Sequence, residues 1–247
     1  MNVSFIIPAY NESNYIDVCL GSIYSEIRRW NHFNSKDDKF EVIVVDNNSV
    51  DGTDEIAKSY GATVVYELKK GITHARQAGF KAAKYDIQAY IDADNFLQYG
   101  WLDNLKEFDD PEVVAISGPP YYHNFNIFYR TCAALFYKIT MIAHKFGPTI
   151  QGGNYVVRKS ALEKIGGHST DILFYGEDTD LALRLSKVGK IKLLPKMWIY
   201  FSDRRFKTQG YFDTTFTYII NYFSVHILKR PVTLNYIDIR TNDNKKI

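Results

Sequence analysis

Cysteine is nearly missing from this chain: Cys19 and Cys132 are the two among 247 residues, and they lie far apart in sequence. A disulfide-stapled scaffold is thereby excluded, and a reduced, cytoplasmic setting is expected. No apolar run approaches the roughly 18 residues that read as a membrane span, so no spanning helix is predicted. The N-terminus, Met1-Asn2-Val3-Ser4, has no basic region leading into an apolar one, so no signal peptide is expected. Charge of one sign is also lacking. Thirty Lys and Arg face 28 Asp and Glu, a net +2, and no nucleic-acid partner is expected. Two glycine-rich phosphate loops are absent as well. Neither G-x-G-x-x-G nor G-x-x-x-x-G-K-[ST] occurs, which excludes a dinucleotide fingerprint and a P-loop.

What is present is an alternation of strand and helix. Val3 to Pro8 reads as a buried strand, with Pro8 ending its ladder, and Ile16, Leu20, Ile23 and Ile27 repeat at helical spacing over about 13–29. Residues 31–39 are polar and read as a loop. Strands follow at 40–46, 62–67 and 87–92, with helices at 54–60 and 73–84 between them. That rhythm predicts a parallel sheet with helices on both faces. Beyond residue 100 it changes: helix 101–108, strand 113–117, an aromatic helix over 125–146, strand 155–157 and helix 160–165. Helix 178–188, short strands at 192–194 and 198–201, and a second aromatic helix from 211 come next. With 46% hydrophobic residues the chain reads as one domain over 1–240. A nucleotide-binding half (1–100) precedes an acceptor-side half (101–210), the last helix (211–240) and a polar tail (241–247).

Polar clusters follow the strands, at the edge where open α/β sheets bind ligands. Pro8-Ala9-Tyr10-Asn11-Glu12 leaves the first; Tyr10 offers a flat ring and a hydroxyl to a nucleobase or ribose. Asp46 closes the second and can accept from a base N–H or a ribose hydroxyl. The following Asn47 to Thr53 fails as a calcium loop, because no register supplies both the glycine and the closing Glu; Ser49 to Thr53 can equally be a capping turn. Arg76 is expected in the first turn of its helix, either facing an anion or exposed. Asp92-Ala93-Asp94 ends the fourth strand, where two hard oxygen ligands suit a divalent cation that clamps a phosphate. Gly152-Gly153-Asn154 allows close backbone approach. Glu177, Asp178 and Asp180 open a helix; three acids exceed what a cap requires, and Asp178 is a candidate general base. Arg204-Arg205 suits a departing diphosphate.

Aromatic residues make up 15% of the chain and crowd two segments, Tyr121 to Phe146 and Tyr211 to Leu228, the second closed by Lys229-Arg230. Two readings stand: helix faces packed on a core, or an amphipathic surface at the inner face of a membrane.

The ordered set I-I-P-A-Y-N-E, V-V-D-N-N-S-x-D-G-T, D-A-D and G-E-D-x-D, within Val3 to Phe206, resembles family 2 glycosyltransferases. The resemblance implies a GT-A fold, an α/β Rossmann-like architecture with a mostly parallel central sheet. It implies inverting transfer of a hexosyl group from a nucleotide diphosphate sugar (UDP- or GDP-linked) to a glycan, lipid-linked or protein acceptor. On it, Pro8, Ala9, Tyr10, Glu12, Asp46 and Ala93 hold the nucleoside, Arg76 the base or diphosphate, and Asp92 the ribose side. Asp94, with Asp92, holds Mg²⁺ or Mn²⁺, and Asp178 is the base. Gly152, Gly153, Asn154, Glu177, Arg204 and Arg205 line the donor and acceptor pocket. Unlike membrane-bound processive relatives, the chain carries no Q-x-x-R-W and no C-terminal spanning helices, so transfer of a single sugar is expected. A nucleotidyltransferase and a non-catalytic nucleotide- or sugar-binding module are the alternatives.

Overall fold

The computed structural model describes residues 1–34, 37–122, 125, 127–145, 147–172, 174–233 and 238. The polar tail 241–247, and Phe146 at the end of the predicted aromatic helix, lie outside them. Strands β1 (Asn2–Ala9), β2 (Lys39–Asp46), β3 (Thr63–Tyr66) and β4 (Ile87–Ile91) alternate with helices α1 (Ile16–Phe33), α2 (Thr53–Ser59) and α3 (Ile72–Ala82). The short β5 (Phe96–Leu97), a 3-10 helix (Trp101–Asp109), β6 (Val113–Ser117), β7 (Pro120–Tyr121) and α4 (Ile127–Ala143) follow. Next come β8 (Asn154–Arg158), α5 (Lys159–Lys164), α6 (Glu177–Leu185), β9 (Lys190–Leu193), β10 (Ile199–Tyr200), α7 (Arg204–Gln209) and α8 (Tyr211–Leu228).

Seven strands form one sheet in the order β3-β2-β1-β4-β8-β6-β9, and β5, β10 and β7 form a second, small sheet. All pairings in the large sheet are parallel except those of β8, which runs antiparallel between β4 and β6. Alternating side chains of β1 supply two cores. Val3, Phe5 and Ile7 pack with Ile16, Leu20 and Ile23 of α1 and Trp101 on one face. Ile6 packs with Ala75 and Phe80 of α3, Leu162 of α5 and Leu181 of α6 on the other. The sheet is buried on both sides, which is why its strands read as continuous apolar runs.

Several expectations are corrected. Helix α1 runs through residues 31–33, which their polarity had suggested were loop, because Trp30 and Phe33 continue it. Pro8 does not end the ladder: it pairs with Val45 and Ala9 with Asp46, while pairing to β4 stops at Ile6, so the missing N–H falls where no partner strand needs it. In the small sheet β10 matches the strand expected at 198–201, while β5, β7 and α7 have no sequence signal; two-residue strands are too short to show a period.

Candidate active site

The C-terminal ends of β1, β2 and β4 and the N-terminal end of antiparallel β8 meet at one edge. They bring Tyr10, Glu12, Asp46, Asp92, Asp94, Gly152 and Gly153 to the same side of the sheet. The two turns after β1 and β2 are stapled together. Asn11 N–H donates to Ser49 Oγ (3.0 Å), Glu12 N–H to Thr53 Oγ1 (2.9 Å) and Ser13 N–H to Asp51 Oδ2 (3.0 Å). Ser49 to Thr53 are therefore framework. Asp46 is buried beneath this staple and accepts from Ser49 N–H at 3.3 Å. Tyr10 lies under Lys70, whose ammonium sits 4.2 Å from the ring centroid and donates to the phenol oxygen.

Asp92 and Asp94 part company. Asp92 Oδ1 accepts from Arg76 Nη2 at 2.9 Å, and Arg76 Nη1 donates to Glu177 Oε1. Arg76 is 1% exposed and lies one turn into α3, because the helix starts at Ile72; the expected first-turn position and the exposed alternative are both corrected. Its guanidinium rests over the Tyr155 ring, which stacks on Tyr90 at 4.8 Å. Asp178 stands beside Glu177, its Oδ1 accepting from Thr179 N–H at 2.8 Å. Gly152 and Gly153 form the wall between the two sides. A Cβ on Gly152 would lie 3.4 Å from Asp178 Oδ2, and one on Gly153 (φ +76°) would collide with the Asp92 carboxylate. Only glycine gives both the left-handed backbone and the room.

One cation here serves three carboxylates, and this sets the electrostatics. Burial opposes the charge on Arg76, but Glu177, Tyr155 and Asp92 outweigh it and hold the guanidinium protonated. Burial pushes Glu177 up to about 7, with Asp178 adding to the rise and Arg76 opposing it. Burial likewise raises Asp178, against hydrogen bonds from Thr179 and Gly152. A carboxylate lifted from its usual range is suited to take a proton near neutrality.

Asp94 belongs to a second cluster. Arg204 Nη2 donates to Asp94 Oδ2 at 2.8 Å and to Glu12 Oε2 at 2.7 Å, and its guanidinium stacks 4.0 Å from the Tyr15 ring centroid. Arg205 lies over Phe174, its guanidinium 4.4 Å from the ring centroid. Behind both acids the buried Cys19 thiol is held well above its ordinary value, first by burial and then by Asp94, Asp92 and Glu12. Among the described residues no three His, Cys, Asp or Glu side chains converge on one point. The donor set fits an open divalent site, at which Asp94 would be a protein ligand, and does not fit a closed structural cage.

Asn154 is corrected as a pocket residue. It is fully buried, its Nδ2 donates to Gly118 and Met197 carbonyls, and its Oδ1 accepts from Trp101 Nε1. It locks the framework behind the site. Sequence reasoning passed over Asn47, which donates to the carbonyls of Glu67 and Lys69 and accepts from Gly71 N–H, shaping the loop that carries Lys70. It also passed over Tyr15 and Tyr155, the rings under the two arginines. No spacing rule marks them, because each acts across the fold.

This seven-stranded, mostly parallel sheet with its carboxylates at one edge defines a GT-A transferase fold. Two solved structures share it. The mannosyltransferase PcManGT of Pyrobaculum calidifontis, in complex with GDP-Man and Mn²⁺, matches with a TM-score of 0.74 at 23% identity, over 92% of this chain and 64% of that one. TarS 1–349 of S. aureus, in complex with UDP, matches with a TM-score of 0.61 at 18% identity, over 94% and 67%. The family model for glycosyl transferase family 2 matches residues 4–166, and the chain belongs to that family. Glycosyltransferase AglE of Haloferax volcanii is 34% identical over 107 residues, 41% of this chain and 33% of AglE. Three curated relatives are each matched over between 29% and 34% of their own length.

Proposed function

We propose that the chain transfers one sugar, with inversion, from a nucleotide diphosphate sugar to an acceptor hydroxyl on a glycan, protein or lipid-linked carrier. The observation that carries this reading is the split of the Asp92-Ala93-Asp94 triplet. Asp94 joins Arg204 and Glu12 on one side, while Asp92 joins Arg76 beside the raised carboxylate of Asp178, against the Gly152-Gly153 wall. Family membership supports it, and so do neighbours described with GDP-Man and with UDP.

On this reading residues 1–100 hold the donor and residues 101–210 the acceptor side. Tyr10, Glu12 and Asp46 receive the nucleoside. Asp94 holds a divalent ion, Mg²⁺ or Mn²⁺, which supplies Lewis-acid stabilisation of the diphosphate. Asp178 takes the proton of the acceptor hydroxyl as its oxygen bonds to the anomeric carbon. The bond from that carbon to the diphosphate breaks, and its electron pair leaves with the nucleoside diphosphate. Arg76 holds Asp92 and Glu177 in place, so Glu177 positions and Asp178 acts. Asp178→Asn is expected to keep donor binding, read as a thermal shift with Mn²⁺ and the nucleotide sugar, and to lose transfer by roughly 10²–10⁴-fold. Turnover near the parent rate would remove Asp178 as base. Pyrophosphate as the product would replace the reading with nucleotidyl transfer.

A further inference from the structure

Helix α8 is built inside out. Its buried residues are Thr214, Asn221, Ser224 and Val225, mostly polar. Its outward stripe is Phe212, Phe216, Ile220, Phe223 and Ile227, spaced i, i+4, i+8, i+11 and i+15, with Phe212 81% and Ile227 74% exposed. A helix packed on a core in water shows the reverse pattern. Helix α4 repeats the arrangement. None of its residues is buried, and Ile127, Phe128, Leu135, Phe136, Ile139 and Ile142 face outward.

The two helices touch near both ends and point the same way. Tyr129 near the start of α4 stacks on Tyr211 at the start of α8, ring centroids 4.0 Å apart. At the other end Tyr222 of α8 donates to the carbonyl of Gly147, just past α4. Each helix thus carries a run of exposed apolar side chains, more than a scatter of single exposed residues. Their charge is of one sign: over 127–145 and 211–230 the cations are Arg130, Lys138, Lys145, Lys229 and Arg230, against Asp213 alone. Asn221 ties the chain after α8 back onto the helix by accepting from Val232 and Thr233 N–H, which fixes the stretch carrying Lys229-Arg230.

We propose that the paired outer faces of α4 and α8 dock on an anionic lipid bilayer, lying in its interface. Aromatic and aliphatic side chains enter the headgroup boundary, and the five cations meet anionic headgroups. A second copy of the chain fits less well, since a two-fold contact would set like charges against each other. Spanning is excluded for these helices: among the described residues no helix is long and apolar enough to cross a membrane. The inner side of α8 meets the site. Val225 abuts Gly176, immediately before Glu177, and Tyr218 packs on Tyr175. Docking on this face sets the Asp178 edge at the bilayer surface, where a lipid-carried acceptor is within reach; that consequence alone rests on the transferase reading.

The test is flotation of the full chain with vesicles of phosphatidylcholine, with and without phosphatidylglycerol, in the absence of any sugar donor. Binding to the anionic vesicles is expected, weakened by salt and weaker on phosphatidylcholine alone. Phe216→Gln with Phe223→Gln, and separately Leu135→Gln with Ile139→Gln, should each reduce the bound fraction at least tenfold with an unchanged thermal midpoint, since these side chains are exposed. Lys229→Gln with Arg230→Gln should remove most of the preference for the anionic lipid. A parent chain that stays unbound, or apolar variants that float like the parent, overturns the proposal. So does a parent that dimerises without floating and becomes monomeric in Phe216→Gln with Phe223→Gln, which would make the face a contact between copies. None of these readings depends on donor or catalysis, so docking and transfer stand or fall separately.

Discussion

Arg76 and Arg204 do the same thing in two ways. Each bridges two carboxylates drawn from distant parts of the chain, and each lies near an aromatic ring. Arg76 is 1% exposed, on a helix packed against the sheet, and it bridges Glu177, 10% exposed, and Asp92, 24% exposed. Arg204 is 11% exposed and begins the short helix α7. The first arrangement opposes the rise that burial imposes on Glu177 and Asp178. The second joins Asp94 to Glu12 from the start of a short helix; on the proposed reading a divalent ion would replace it on Asp94.

The comparison is tested most severely by Arg76→Met. It leaves Asp92, Glu177 and Asp178 without their cation and should cost about 3–5 kcal/mol of stability in denaturant unfolding. A cost near that of a surface pair would mean that the cluster is hydrated.

Glu177→Gln is the next largest effect, and it concerns pH. Glu177 is raised from 4.5 to about 7, so its contribution to stability is present below pH 4.5 and is lost as pH rises through 7. The stability of the parent relative to the variant should therefore fall by about 3 kcal/mol across that window and stay level above it. Melting curves of both proteins between pH 4 and 8 measure this; parallel curves would place the titration elsewhere.

Arg204→Met should be mildest, about 1–2 kcal/mol, between the surface and buried limits. Its distinguishing readout is metal binding. With Asp94 released from the guanidinium, the Mn²⁺-induced thermal shift without nucleotide should grow. A smaller shift would mean that Arg204 helps to build the cation site.

Much of this was legible along the chain. Continuous apolar strands and the 3.6-residue period of α1 and α6 survive without tertiary context, because burial on both sheet faces demands them. Asp92, Asp94, Arg76 and Asp178 stand out because carboxylates and arginines at strand and helix ends are costly without a task. Asn154 misled for the same reason: its place beside two glycines resembles a binding loop, and only the fold reveals Trp101, Gly118 and Met197 around its amide. The aromatic helices were visible as segments, but period alone could not say which side faces out.

By itself the sequence determined the alternating α/β plan, the family motifs and the residues of the candidate site, since each rests on local pattern and residue chemistry. Tertiary structure alone decided that Asp92 and Asp94 serve different arginines, that Arg76 ties Asp92 to Glu177 beside Asp178, and that α4 and α8 turn their apolar sides outward. Those outcomes depend on which charges and surfaces meet across the fold, and pairing over such distances in sequence leaves no local trace.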